Sequence, residues 1–183
     1  YKENKSESDK VLLLCTQGSH DICCGSEGTR LANLLDEMHT DIEIFRVSHT
    51  GGHRFAPTAM TLPSGRMWAG LDASTLIAIF DQNCQPELVA NKCRGWWGAS
   101  RGPCQVAERE IFKRFGWALD ARQREIEIEE INQGWVVTVK ANEKKWKVQI
   151  VKGREVPTIA CRSEGGLPFT ISNEYEVKSF QSL

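Results

Sequence analysis

The sequence has no long hydrophobic run, no C-x-x-C pair, no phosphate-cradling glycine loop and no surplus of charge of either sign. Its longest apolar stretches, around Val11–Leu14 and Leu76–Phe80, fall far short of the ~20 residues that cross a bilayer. Lys plus Arg number 23 against 24 Asp plus Glu, a formal net charge of -1, so no general nucleic-acid or polybasic membrane partner is expected. Without C-x-x-C, dithiol–disulfide exchange is disfavoured. No nucleophile–base constellation marks a small-substrate enzyme. Histidines number only four, and the cysteines number seven, an odd count that excludes complete internal pairing.

What is present suits an ordinary globular chain. Of the 183 residues, 40% are hydrophobic and 26% charged, enough for a core in one domain, and incompatible with collagen-like, mucin-like or disordered classes. No secretory signal is visible and the cysteines are unevenly scattered, which points to a reducing, cytoplasmic setting where thiols bind metal or react. Residues 1–10 (YKENKSESDK) are polar and charged and read as a flexible linker, the chain itself as the later part of a longer polypeptide. Residues 11–183 then form one domain, an α/β core over 11–120 and a β-rich extension over 121–183.

Periodicity supports that division. VLLLC at Val11–Cys15 is a buried strand, and Ser26–Met38 is an amphipathic helix with Leu31, Leu34, Leu35 and Met38 on its apolar side and Ser26 as cap. Asp41–Val47 is a second strand, and the order strand, helix, strand implies parallel pairing. Ala56–Leu62 and Arg66–Leu71 flank Pro63-Ser64-Gly65 as a hairpin. Asp72–Gln82 is a helix capped by Asp72. KCRGWWGASRGP is a loop, and Gln105–Phe115 is a helix. From Gln123 onward REIEIEEI, GWVVTVKA, KKWKVQIVK, VPTIAC and EYEVKSF read as strands of an antiparallel meander, with turns at Asn132-Gln133-Gly134, Ala141-Asn142-Glu143 and Lys152-Gly153. That meander is expected to extend the core sheet.

Four residues stand out chemically. Cys15 ends the first strand, Cys24 follows nine residues later, and His49 and His53 form HTGGH directly after the second strand. The carboxyl ends of neighbouring parallel strands lie together, so Cys15 and His49 should be near each other. Gly51 and Gly52 allow the tight turn that aims both imidazoles at one centre. A single cysteine closing an apolar strand is more often a small buried hydrophobe. Two pairs on adjacent loops suit a tetrahedral zinc site, or two irons of an iron–sulfur cluster.

CTQGSHDICCG, SHTGGHRFAPTAMTLPSGRMWAGL, GPCQVAERE and the later TIACRSE together resemble the sucrase/ferredoxin-like family of thioredoxin-like ferredoxins, from about Val11 to the C-terminus. The resemblance implies a thioredoxin-like α/β core and a 2Fe-2S cluster held by Cys15, Cys24, His49 and His53. It further implies an electron carrier working with a redox partner protein. This chain departs from the family at Gln17-Gly18-Ser19-His20-Asp21, where basic residues are usual; that alters a surface, not a ligand. Two neutral imidazoles in place of two thiolates leave the oxidised cluster uncharged instead of dianionic. Its potential should then sit in the Rieske range of roughly -150 to +300 mV. Because the imidazoles take up protons on reduction, that potential should fall as pH rises. A zinc module with the same four ligands, or a redox-sensor domain, are the competing readings.

Secondary expectations concern the remaining polar and aromatic residues. Cys23 is a substitute ligand for Cys24. Asp21 and Arg54 are candidates to orient the site, with a loop-ordering Asp and a solvated Arg as the plainer alternative. His20 reads as a loop residue and His39 as solvated. Trp96 and Trp97 either dock a partner or cover the sheet edge. Cys84, Cys93, Cys104 and Cys161 lack metal spacing and read as buried or surface thiols.

Overall fold

A computed structural model describes residues 10–18, 23–52, 55–120, 124–141, 143–159 and 168–183. The residues 1–9 of the expected linker lie outside this set, as do His20, Asp21, His53, Arg54 and Cys161. The chain is mixed α/β. Its first half forms a five-stranded sheet from β1 (Val11–Cys15), β2 (Glu43–Val47), β3 (Thr58–Leu62), β4 (Arg66–Ala69) and β5 (Cys93–Trp96), in the order β2-β1-β3-β4-β5. β1 and β2 pair in parallel with Cys15 opposite Val47, and every other pair in this sheet is antiparallel. No helix among the described residues is long and apolar enough to cross a membrane.

The strand–helix–strand unit and the hairpin lie where periodicity puts them. Helix α1 (Thr29–Glu37) connects β1 to β2, and it is preceded by a wide π-type turn over Cys24–Gly28. Ser26 therefore sits inside that turn and is not the cap that its residue type suggests. Leu31 and Leu35 are buried, whereas Leu34 and Met38 are exposed, because α1 covers the sheet with a narrower stripe than the sequence pattern allows. The β3–β4 hairpin turns through 63–65, and the peptide bonds before Pro57 and Pro63 are cis. Helix α2 (Ala73–Asp81) is capped by Asp72, whose carboxylate accepts the Thr75 backbone N–H at 2.8 Å and the Ser74 hydroxyl at 2.7 Å. Those bonds, led by that of Ser74, hold the Asp72 carboxyl well below the usual carboxylate range.

Two elements escape the sequence reading. A short helix, α3 (Pro86–Val89), precedes β5, and β5 itself lies within the stretch expected to be a loop. Its alternation is real, since Cys93 and Gly95 point inward and are buried. Glycine fills the second inward position because a Cβ there would lie 2.9 Å from the Gln105 backbone, so composition disguises the strand. Gln105 belongs to α4 (Gly102–Phe115), which starts three residues earlier than its periodicity suggests.

The C-terminal segment does not extend the first sheet. β6 (Arg124–Ile131), β7 (Gly134–Ala141), β8 (Lys144–Ile159) and β9 (Pro168–Ser182) form an antiparallel sheet of their own, in chain order. The expected turn at Lys152-Gly153 is instead an irregularity in the β8–β9 register between Lys152 and Glu155. A 16-residue strand absorbs its turn-like dipeptide as a bulge, so VPTI continues β8. Helix α4 packs between the sheets. One apolar core runs through both, from Leu12, Leu14, Trp68 and Leu76, through Ile111 and Phe112, to Val137, Trp146, Val148 and Ile150. Each such side chain contributes about 1.5–3 kcal/mol when fully removed from water.

A buried polar network crosses the same junction. Arg66 of β4 donates through Nη1 to both Glu108 oxygens at 3.0 Å, and through Nε to Asp120 at 3.0 Å. Arg124 of β6 donates to Glu108 at 3.1 Å, to Asp120 at 3.1 Å and to the Leu119 carbonyl at 3.0 Å. The Arg66 guanidinium also lies 3.9 Å from the Phe112 ring centroid. Burial disfavours the charge on Arg66, but the facing Glu108 and Asp120 carboxylates override it and hold its pKa above the ordinary value. Arg124 is pulled the other way, by burial and the nearby Arg66 charge, against the attraction of Glu108. Both guanidiniums stay charged at neutral pH, so two buried cations are balanced by the buried Glu108 and the partly exposed Asp120.

Candidate functional site

The carboxyl ends of β1 and β2 meet side by side because Cys15 and Val47 are in register. The Thr16 N–H donates to the Val47 carbonyl at 3.1 Å, and the fully buried Cys15 thiol lies 3.5 Å from the Ser48 carbonyl, to which it donates. His49 follows, exposed at the mouth of this corner. The register thus brings Cys15 and the residues leading into His49 to one end of the sheet.

Cys24 reaches the same end through glycines. A Cβ on Gly28 would collide with the Cys15 carbonyl oxygen, and one on Gly25 with the Gly18 backbone. Only bare backbone lets the π-type turn close onto the end of β1. Cys24 is fully buried, with its Sγ 3.8 Å from the Thr58 hydroxyl, while Cys23 is only partly buried. Thr58, the first residue of β3, also accepts a hydrogen bond from the Thr50 hydroxyl at 2.8 Å. One threonine thus links the second thiol to the residue following His49, a role that sequence patterning did not reveal. Gly28→Ala is expected to destabilise the fold by about 1–3 kcal/mol through overpacking. It should also draw Cys24 away from Thr58. Urea denaturation checks this, and an unchanged midpoint would show that the turn shifts freely.

The HTGGH loop has a second support. Gly51 and Gly52 have φ of +77° and +70°, left-handed values that glycine adopts without strain. Arg94 of β5 donates from Nη1 to the Gly51 carbonyl at 2.7 Å, and a Cβ on Gly52 would lie 2.6 Å from its guanidinium carbon. Beyond His53 and Arg54 the backbone returns at Phe55, whose N–H donates to the Gly52 carbonyl at 2.8 Å. Arg94 is the main residue the sequence reading missed, because only the pairing of β5 with β4 brings it to this end.

Other candidates separate from the site. Trp96 pairs with Arg66 at the far end of the sheet, and Trp97 packs there against the Gly65 turn, so neither is near Cys15. Cys93, Cys104 and Cys84 are free thiols whose pKa values are raised chiefly by burial, which disfavours their thiolates. His39 is exposed.

Two thiols and imidazoles are the donor types that zinc or an iron–sulfur cluster takes. Three members of the set, Cys15, Cys24 and His49, belong to one sheet end; the fourth, His53, lies outside the described residues. Among the described residues no three His, Cys, Asp or Glu side chains stand together as a ready-made metal cluster. The three described residues fit such a group in donor chemistry and in their shared sheet end.

Comparison with known proteins follows the same segment. The family model described as sucrase/ferredoxin-like matches residues 2–95, covering all four candidate ligands but stopping within β5, well short of the C-terminus. A curated relative, altered inheritance of mitochondria protein 32 from Meyerozyma guilliermondii, is 28% identical over 67 residues. That alignment covers 33% of this chain and only 24% of the relative. No solved structure matches. With its Cys15 and HTGGH segments inside a match that spans half its length, the chain belongs to the sucrase/ferredoxin-like family.

Proposed function

We propose that this chain is an electron carrier of thioredoxin-like fold that holds a 2Fe-2S cluster through Cys15, Cys24, His49 and His53. The observation carrying this reading is the Cys15–Val47 register together with the Thr50–Thr58–Cys24 contacts, which draw both thiols and the HTGGH loop to one end of β1 and β2. The thioredoxin-like reading is supported by an interior β1 that pairs in parallel with β2 after a helical crossover and antiparallel with β3 of the following hairpin.

When bound, such a cluster accepts and releases one electron. The chain's part is to supply two thiols that lose their protons on binding metal, and the exposed His49 imidazole beside them. The Thr58 hydroxyl is placed to hydrogen-bond the Cys24 sulfur, which spreads sulfur charge and raises a potential. Arg94 anchors the histidine loop through the Gly51 carbonyl and brings positive charge to its flank. A redox partner protein would dock over this sheet end, where Phe55 presents a half-exposed ring. A reducing compartment suits the free cysteines.

Iron and acid-labile sulfide analysis with a visible spectrum, on protein purified without oxygen, tests the proposal. Two irons and two sulfides per chain are expected, with absorption in the visible. A colourless protein carrying one zinc per chain would replace the electron carrier with a zinc module.

A further inference from the structure

Beside the thiol–histidine end of the sheet lies an open cleft of about 920 Å³, framed by α4, by the Lys92–Arg94 stretch and by β9. Three cations line it, Lys92, Arg94 and Arg109, and among the described lining residues there is no carboxylate. Lys92 is held by Asp72 at 3.0 Å, and Arg94 spends one nitrogen on the Gly51 carbonyl, so both are fixed in position. Arg109 has no ion pair with any described residue and lies one turn along α4 from Gln105, which also lines the cleft.

The remaining walls offer hydrogen bonds and flat apolar surface. Asn91 and Asn173 supply amide groups, and Tyr175 closes against Gly102 so tightly that a Cβ there would strike its ring. Gly102 opens the 14-residue helix α4, and its cap residue Arg101 makes no side-chain hydrogen bond to that end. Lys92 being neutralised by Asp72, the positive end of the helix dipole adds to the field of Arg94 and Arg109. Phe55, half exposed, also lines the cleft.

From these features we infer that the cleft binds a phosphate-bearing small molecule of nucleotide size. Its phosphates lie between Arg109 and Arg94, and its flat ring rests against Phe55. Guanidiniums take phosphate through paired, charge-assisted hydrogen bonds, and the cleft volume lies within the usual range for small-ligand sites. Arg94 would touch both this ligand and the histidine loop, so occupancy is sensed at the candidate cluster site. The binding itself does not depend on a cluster being present.

Isothermal titration of the full chain with inorganic pyrophosphate and with ADP, at matched ionic strength, tests the inference. Both should bind with Kd below ~1 mM, ADP the more tightly. Arg109→Gln should weaken both by about tenfold or more, and Phe55→Ala should weaken ADP while leaving pyrophosphate unchanged. Absence of binding by both, or affinities untouched by Arg109→Gln, would overturn the site. Equal affinities for the two probes, or an ADP affinity unaffected by Phe55→Ala, would overturn the nucleotide-sized ligand. Iron content is read separately on the same samples, so failure of the cluster leaves this test intact.

Discussion

Glu108→Gln is expected to lower the unfolding free energy by about 3–5 kcal/mol, a large share of the ~5–15 kcal/mol typical of whole domains. Glu108 is fully buried and accepts from both Arg66 and Arg124. Glutamine has nearly the same shape, so the change isolates charge from volume. It leaves two guanidiniums facing one carboxylate, Asp120, and turns an amide N–H₂ toward donors that need acceptors. Urea denaturation followed by tryptophan fluorescence measures the loss. A change under ~1 kcal/mol would mean that water reaches the network. The double variant Arg66→Met with Glu108→Leu should recover part of the stability, since removing a buried pair together is far less costly than orphaning one partner.

The second large effect is expected from His49→Cys. Under the proposed ligation, a thiolate in place of a neutral imidazole adds one negative charge to the centre. The cluster should persist, with its potential lowered on the order of 100 mV or more and with weaker dependence on pH. His49 is the right position for this experiment because it is exposed, whereas Cys15 and Cys24 are fully buried. Substituting those thiols would mix packing with ligation. Protein-film voltammetry between about pH 6 and 9 reads both properties, that window spanning the ordinary imidazole pKa. An unchanged potential and slope would remove His49 from the ligand set.

The parts of the fold legible in the sequence are those governed by local pattern. VLLLC, the hairpin around Pro63-Ser64-Gly65 and the Asp72 cap each carry their signal within a few residues. The parts that escaped are governed by distant neighbours. Gly95 is inward-facing because α4 presses on it, so β5 looks like a loop. Lys152-Gly153 reads as a turn only until the long pairing with β9 is known. At the site, Cys15, Cys24 and HTGGH could be found from spacing along one strand–helix–strand unit. Thr58 and Arg94 could not, since each arrives from a strand whose order in the sheet the sequence does not display. Arg66 and Glu108 stand 42 positions apart, and nothing local marks either as buried.

The junction between the sheets also bears on what a minimal fragment of this chain must contain. The region of family similarity ends at residue 95, yet it includes Arg66, and both carboxylates that neutralise Arg66 come later, at Glu108 and Asp120. A fragment cut at the edge of similarity would retain a buried cation and discard its counter-ions, along with the helix that covers the sheet. The unit inherited as a recognisable segment is thus shorter than the unit able to fold. A fragment meant to retain the candidate ligands in a folded chain has to run past Arg124, into the second sheet.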